Sequence, residues 1–334
     1  MNRTQQKGLS LVELIVAFGL ASFIIAGIIQ VVLSNQKAFN LTESMVRVQE
    51  SGRFALNFIA DDIRQSGGYG CTPTFDAVSQ NIQSFAANMT DINAIQTQAS
   101  GAFGNSLDGA AGGTGAFDAP DQLAVLRLNN QNGASITGGV VAPTTLSMAT
   151  GGTFAVGDYV LVSNCEVADL IQLAAGTNNL QIVSGSNQLR FSFYTRQDKR
   201  STINEIENRT FTVDIAADVL VLNINGGPDL ALLGGIENIQ YRYGVDLDGD
   251  LVPDYFDDIT AVPAGRMDDI IAVHVSLLTV SGSLLDGAGV GTGDVASVTS
   301  SPQTISFNGK TLTMPDNRLR KVFETTVILR NRMN

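Results

Sequence analysis

KGLSLVELIVAFGLASFIIAGIIQVVL, residues 7–33, decides how the rest of the chain is read: a lysine and a glycine, then an apolar run with one carboxylate, Glu13, set inside it. Leu9 to Leu33 is 25 residues. As a helix such a run is about 38 Å long, enough to cross a bilayer core of roughly 30 Å. A secretory h-region is shorter, about 7 to 15 residues. The run passes without a linker into SNQKAFNLTESMVRVQESGRFALNFIADDIRQ, residues 34–65, and so reads as the first half of one long helix. Glu13 is its awkward member. A carboxylate at membrane depth costs on the order of 2.5 kcal/mol or more, so it calls for a cation from outside its own helix.

In the second half Leu41, Met45, Val48, Ala55, Ile59 and Ile63 recur at spacings of three and four, apart from one gap spanning Gly52. That period predicts a face packed against a globular head. Glu43, Arg47, Glu50, Arg53, Asp61 and Arg64 take the other positions. Ser66-Gly67-Gly68 ends the helix, because paired glycines cap helices and resist continuing them.

Lys7-Gly8 followed by Leu9-Ser10-Leu11-Val12-Glu13-Leu14 resembles the leader of type IV pilins and of type II secretion pseudopilins. The resemblance implies a leader, residues 1–8, cut after Gly8 by a prepilin peptidase, and methylation of the new amino terminus on Leu9. It also implies that Glu13 neutralises the terminal amine of a neighbouring subunit. Leu9 departs from the commoner phenylalanine. Further on, VQESGRFALNFIADDIRQSGGYGC, LLGGIENIQYRYGVDLDGD, DDIIAVHVSLLTVSG and LRKVFETTVILRNRM resemble blocks of the PilW family of minor pilins, in the right order. The recognisable segments span roughly half the chain; the glycine- and serine-rich insertions at 101–115 and 283–301 lie outside them.

The implied fold is α+β and type IV pilin-like. A helix over 9–66, transmembrane over 9–33 and amphipathic over 34–66, packs on an antiparallel β-sheet head with long loops, residues 67–334. The implied function is a minor pilin in the priming complex that starts or caps a type IV pilus at its tip. Its partners would be other minor pilins and the major pilin, met through the N-terminal helix, and the prepilin peptidase. Its location would be the inner membrane, single-pass with a periplasmic head, and then the pilus. A minor pseudopilin of type II secretion and a calcium-dependent tip adhesion module are the alternatives.

Composition agrees with a strand-and-loop head: 34 glycines, no tryptophan and 44% hydrophobic residues leave enough for a core. Removing a leader that carries Arg3 and Lys7 takes the net charge from −12 to −14. That balance argues against nucleic acid as a partner, since nucleic-acid binding leans on basic patches. The basic cluster Arg318, Arg320, Lys321, Arg330 and Arg332 reads as solvated strand-edge charge. The basic leader keeps the amino terminus cytoplasmic, which puts Cys71 and Cys165 in the periplasm. An even count there favours a disulfide, with two unpaired thiols the alternative.

Residues 72–122 are weakly patterned and read as long surface loop. Strands are expected at 122–128, 158–163, 188–194, 219–224, 236–245, 270–281, 305–314 with an Asn308-Gly309 hairpin turn, and 322–330. Alternation is plain in Ile239-Gln240-Tyr241-Arg242-Tyr243. After that strand comes a run of acids, Asp246, Asp248, Asp250, Asp254 and Asp257, at the first, third, fifth, ninth and twelfth places of a loop. Such spacing can wrap oxygens around one hard cation, and Ca²⁺ takes 6 to 8 of them. The match to an EF-hand loop is partial, because Leu251 holds the sixth place, where that loop has glycine. Calcium at this site and a plain acidic turn both remain open.

Catalysis finds no footing. His274, the single histidine, alternates with valines in a strand. Neither a Gly-x-Ser-x-Gly elbow nor a His-Glu-x-x-His motif occurs. Gly309-Lys310-Thr311 imitates the end of a P-loop, but Thr304 stands where its first glycine belongs. The paired acids Asp61-Asp62 and Asp257-Asp258 read as solvated. The expectation is a protein that works by assembly and is not an enzyme.

Overall fold

Helix α1 (Leu11–Gln65) is one uninterrupted element of 55 residues, about 82 Å at the usual rise of 1.5 Å per residue. The structure, a computed structural model, describes residues 11–66, 95–96, 119–135, 145–147, 153–155, 158–163, 168–175, 179–182, 202–263, 266, 269–282, 301–314 and 316–329. Gly8, Leu9, Cys71, Cys165, Arg330, Arg332, the strand expected at 188–194 and most of 72–118 and 283–300 lie outside the described residues.

The helix divides later than the sequence pattern does, which starts the packed half at residue 34. Nearly all its side chains up to Arg47 are exposed, while Val48, Gly52, Ala55, Ile59, Ala60, Asp62 and Ile63 are buried. Of the expected packing face, Leu41 is half-buried and Met45 exposed, so the head begins to grip near Val48. The gap in the period turns out to be a contact. A Cβ on Gly52 would lie 2.4 Å from the ring of Phe323, so the aromatic ring occupies the place of the missing side chain. Past Gln65 the Ser66 amide donates to the Asp62 carbonyl (3.0 Å) and its hydroxyl to the Ile63 carbonyl (2.5 Å), closing the last turn.

Two antiparallel sheets receive the helix end. The larger is built from β1 (Ile95–Gln96), β2 (Leu123–Ser135), β3 (Thr145–Ser147), β4 (Tyr159–Ser163), β5 (Ala168–Ala175), β6 (Asn179–Ile182), β7 (Thr202–Asp214), β8 (Val219–Ile224) and β9 (Leu230–Gly234). Its path is β1-β2-β7-β4-β5-β6-β3, with β8 and β9 added on β7. β2 follows one edge of β7 along its length, from Leu123 opposite Phe211 to Ser135 opposite Thr202. On the other edge β4 pairs with residues 202–205 and β8 with 209–214. The second sheet contains β10 (Ile236–Val245), β11 (Tyr255–Asp257), β12 (Ile270–Val280) and β15 (Arg320–Ile328), in the order β11-β10-β12-β15. A separate hairpin, β13 (Thr304–Phe307) and β14 (Lys310–Thr313), turns at Asn308 and Gly309 with φ of 47° and 78°. Both turn residues are left-handed, as a two-residue hairpin of primed type needs.

The strands form where side chains can sort themselves between faces. In β10 Ile239, Tyr241 and Tyr243 are buried in the core and Arg242 is exposed, but the expected alternation is incomplete, since Gln240 is buried as well, donating to the Ala119 carbonyl and accepting from Asn308. β12 is central, with partners on both edges, and nearly every residue is buried except half-buried His274. The core joins Ala55, Ile59 and Ile63 of α1 to Leu123 and Val125 of β2, Phe211 of β7, Leu220 and Leu222 of β8 and the inward residues of β10 and β12. The helix end is thus wedged between the two sheets.

The sequence pattern did not announce β1, β3, β5, β6, β9 and β11, nor the longest of the missed strands, β7. Ile203, Ile206, Phe211 and Val213 are buried along it, but Glu205, Glu207 and Arg209 interrupt the apolar run. Two of these charges, Glu207 and Arg209, belong to an ion cluster against the helix, described below.

Candidate functional site

The bare half of α1, its attachment to the head and the acidic loop are each places that could carry function. Glu13 lies in the first turn of α1, on a segment where Leu11, Ile15, Phe18, Phe23 and Ile28 are all more than half exposed. This segment has the length and apolarity to cross a membrane, as a membrane anchor or a signal segment would. So large an apolar surface needs lipid or other chains around it.

The attachment is held by charge as well as by packing. Asp61 and Asp62 point apart. Asp61 is solvated and pairs with Arg64 at 2.7 Å, but Asp62 is buried, a correction to the reading of both as solvated. The Asp62 carboxylate accepts from Arg127 Nη1 of β2 at 2.7 Å and from Arg209 Nη1 of β7 at 2.8 and 2.9 Å. Glu207 completes the cluster, 3.4 Å from Arg127 Nη2 and 3.6 Å from Arg209 Nε. Arg209 also lies over the Phe58 ring, 5.6 Å from its centroid, and Phe58 meets Phe211 edge-on. Burial pushes the Asp62 carboxyl up while Arg209 and Arg127 pull it down, and the balance leaves it above the ordinary value. One helix carboxylate thereby ties α1 to two neighbouring strands.

The C-terminal basic cluster is likewise corrected. Arg320 is buried, gripped by Glu237 at 2.6 and 2.9 Å and by Asp316, and Arg318 pairs with Asp218. These arginines sit among acids inside the head because β15 packs against α1 and β12; Lys321 alone of the described members is exposed, over the Phe323 ring at 5.2 Å.

The acidic loop joins β10 to β11 and is built from its own carboxylates. Asp246 is buried, accepting the amides of Gly249 (2.7 Å) and Leu251 (2.9 Å). Asp248 accepts the Asp250 amide (3.2 Å), Asp250 that of Val252 (2.8 Å), and Asp254 that of Leu247 (2.6 Å). Burial pushes the Asp246 carboxyl up, but backbone amides, those of Gly249 and Leu251 foremost, hold it below the usual carboxylate range. Leu251 takes a φ of 66°, the left-handed conformation that glycine supplies at the sixth place of an EF-hand loop. For a leucine this costs about 1 to 2 kcal/mol.

Carboxylate oxygens of Asp246, Asp248 and Asp254 lie within 4.8 Å of one another. Asp250 and Asp257 stand outside this group; Asp257 pairs in register with Tyr243, and its carboxylate accepts the Asp258 amide at 2.9 Å. Each carboxylate oxygen that accepts one amide keeps a second lone pair, so the three can still present ligands to a cation.

Residues 222–331, which hold β10, the acidic loop, β12 and β15, match the family model for PilW, type IV pilus-assembly protein W. The match takes in about a third of the chain and falls on the blocks that carried the resemblance in the C-terminal half. Over these residues the chain is similar to a type IV pilus-assembly protein. No curated protein and no solved structure matches the chain.

Proposed function

We propose that this chain is a minor pilin that works by assembly: held in the inner membrane by the apolar half of α1, it joins other minor pilins in a complex that primes a type IV pilus and stays at its tip. The observation that carries this reading is the division of one continuous helix, bare up to Arg47 and built into the head from Val48 to Ile63. A chain of this form hands its apolar rod from lipid to a bundle of neighbouring rods without rebuilding its head. The similarity of residues 222–331 to a pilus-assembly protein supports it independently. Glu13 pairs with the terminal amine of the adjoining subunit, and Cys71 with Cys165 bridges the head. A strain lacking this chain is expected to lose most of its surface pili, counted by electron microscopy. Unchanged pilus numbers would sink the reading.

A calcium ion at Asp246, Asp248 and Asp254 is the second element of the proposal, favoured by the convergence of those three carboxylates. An ion bound only by the folded head raises its melting temperature by mass action. Millimolar calcium chloride should therefore raise the melting temperature of the full chain in detergent relative to chelator, and Asp248→Asn, which keeps an amide-accepting oxygen, should remove most of the rise. A wild-type melt indifferent to calcium would leave the loop an acidic turn.

A further inference from the structure

The outer face of the second sheet carries a groove that neither the assembly reading nor the acidic loop uses. It has a volume of about 280 Å³ and is lined by Arg242, Phe256, His274, Ser276, Asn308, Gly309 and Glu324. That is close to the small end of ordinary small-molecule sites, about 300 to 1,000 Å³. The floor is sheet: Arg242 of β10, His274 of β12 and Thr326 of β15 form one row, and Gln240, Ser276 and Glu324 the next. The walls are the β13–β14 turn and Phe256 of β11, beside the acidic loop.

Several of these side chains are fixed before any ligand arrives. Arg242 Nε donates to Asn308 Oδ1 at 2.9 Å, and Asn308 Nδ2 donates to Gln240 Oε1 at 3.1 Å. The guanidinium of this groove-lining arginine is thereby fixed through Nε. His274 Nδ1 is hydrogen-bonded to Thr326 Oγ1 at 2.9 Å, which leaves Nε2 for a ligand. Ser276 donates to Glu324 Oε1 at 3.4 Å, leaving the other carboxylate oxygen as an acceptor. Phe256 is 40% exposed, and its ring meets His274 edge-on with centroids 6.2 Å apart. It can lie this close to β10 because residue 244 is glycine: a Cβ there would come within 2.8 Å of the ring. A glycine inside a strand commonly marks such an approach.

The chemistry of the ligand follows from what the groove offers. The central floor strand β12 uses its main-chain groups on both edges, and β10 uses one edge on β12 and the other on β11 at 243–245 and on Asp121 at 239 and 241, so the middle of the groove offers an extended peptide no backbone to pair with. Recognition falls to side chains, which present fixed donors (Arg242), acceptors (Glu324) and a group of either kind (His274). Arg242 and Glu324 balance in charge, which favours neither an anion nor a cation. Hydroxyl groups, each both donor and acceptor, are what such a mixture satisfies, and the exposed ring of Phe256 gives the apolar face of a sugar ring a surface to cover.

We propose that this groove is a saccharide-binding site for one or two sugar rings, read by Arg242, His274 and Glu324 and seated on Phe256. The proposal stands on the groove alone and holds whether or not the chain enters a filament or binds calcium. Saturation-transfer NMR of the full chain in dodecylphosphocholine micelles tests it, with the methyl glycosides of glucose, galactose and N-acetylglucosamine as probes. Transfer to the ring protons of at least one is expected, with a Kd in the millimolar range. Phe256→Ala and Arg242→Gln should each weaken that affinity about tenfold. Glu324→Gln, exposed and of the same shape, gives the same reading if Phe256→Ala melts early. Absence of transfer to all three glycosides overturns the proposal. So does an affinity unchanged in the folded variants, or a Glu-Lys dipeptide that binds where the glycosides do not.

Discussion

Replacing Asp62 by alanine is expected to destabilise the head by about 3 to 5 kcal/mol, the usual loss when one partner of a buried ion pair is removed. The size follows from what stays behind. The side chains of Arg127 and Arg209 are only 18% and 13% exposed, and both direct an Nη1 at the Asp62 carboxylate. Without it two guanidiniums face each other with Glu207 as the acid left between them, at 3.4 Å or more. An exposed pair such as Arg64 with Asp61 would change stability by less than about 1 kcal/mol. Asp62→Asn keeps the shape and an acceptor and should fall between the two. Replacing Asp62, Arg127, Arg209 and Glu207 together by apolar residues of similar volume should recover much of the loss, because no charge of the cluster is then left unpaired. Chemical denaturation of the full chain in detergent, followed by the near-ultraviolet signal of the head, measures all three. A change under about 1 kcal/mol for Asp62→Ala would mean that packing alone holds the helix to the sheets. The cluster matters for function because any load on the apolar rod reaches the head through the contacts of residues 48–63.

How much of this could be read from the sequence depends on what each residue faces. β10 and β12 were legible because their neighbours are apolar on one face or both, so periodicity reports burial directly. β7 was not, since Glu207 and Arg209 face the Asp62 cluster and hydropathy counts a paired buried charge as a surface one. The same blindness put Asp62, Arg318 and Arg320 in solvent, where the fold pairs each with an opposite charge at least 60 residues away in sequence. Gly52 looked like a break in the helix face because its partner, the ring of Phe323, is supplied by the last strand. In the acidic loop the spacing of carboxylates was visible, but not which of them converge. Asp250 is turned toward the Val252 amide and Asp257 toward that of Asp258, both local turn contacts. Arg242, His274 and Glu324 come together only through strand register, for which an isolated strand carries no signal.

Glu13→Ala is expected to leave the chain in the inner membrane and remove it from filaments. Two physical effects push in opposite directions. Deleting a carboxylate from an apolar helix removes an insertion cost of about 2.5 to 3.5 kcal/mol, so membrane retention should rise or stay level. Assembly loses its charge partner: in the proposed filament the amine of the adjoining subunit would enter an apolar bundle without a counter-ion, a state that costs several kcal/mol. At about 1.4 kcal/mol per factor of ten, incorporation should drop by at least a hundredfold. Glu13→Gln separates charge from shape, and should fail nearly as badly, since an amide of the same size cannot neutralise an ammonium. Immunoblots of membranes and of sheared pili from cells carrying each variant give the two readouts. Normal amounts of either variant in sheared pili would remove Glu13 from the mechanism, and the exposed apolar face of residues 11–33 would then have to drive assembly by packing alone.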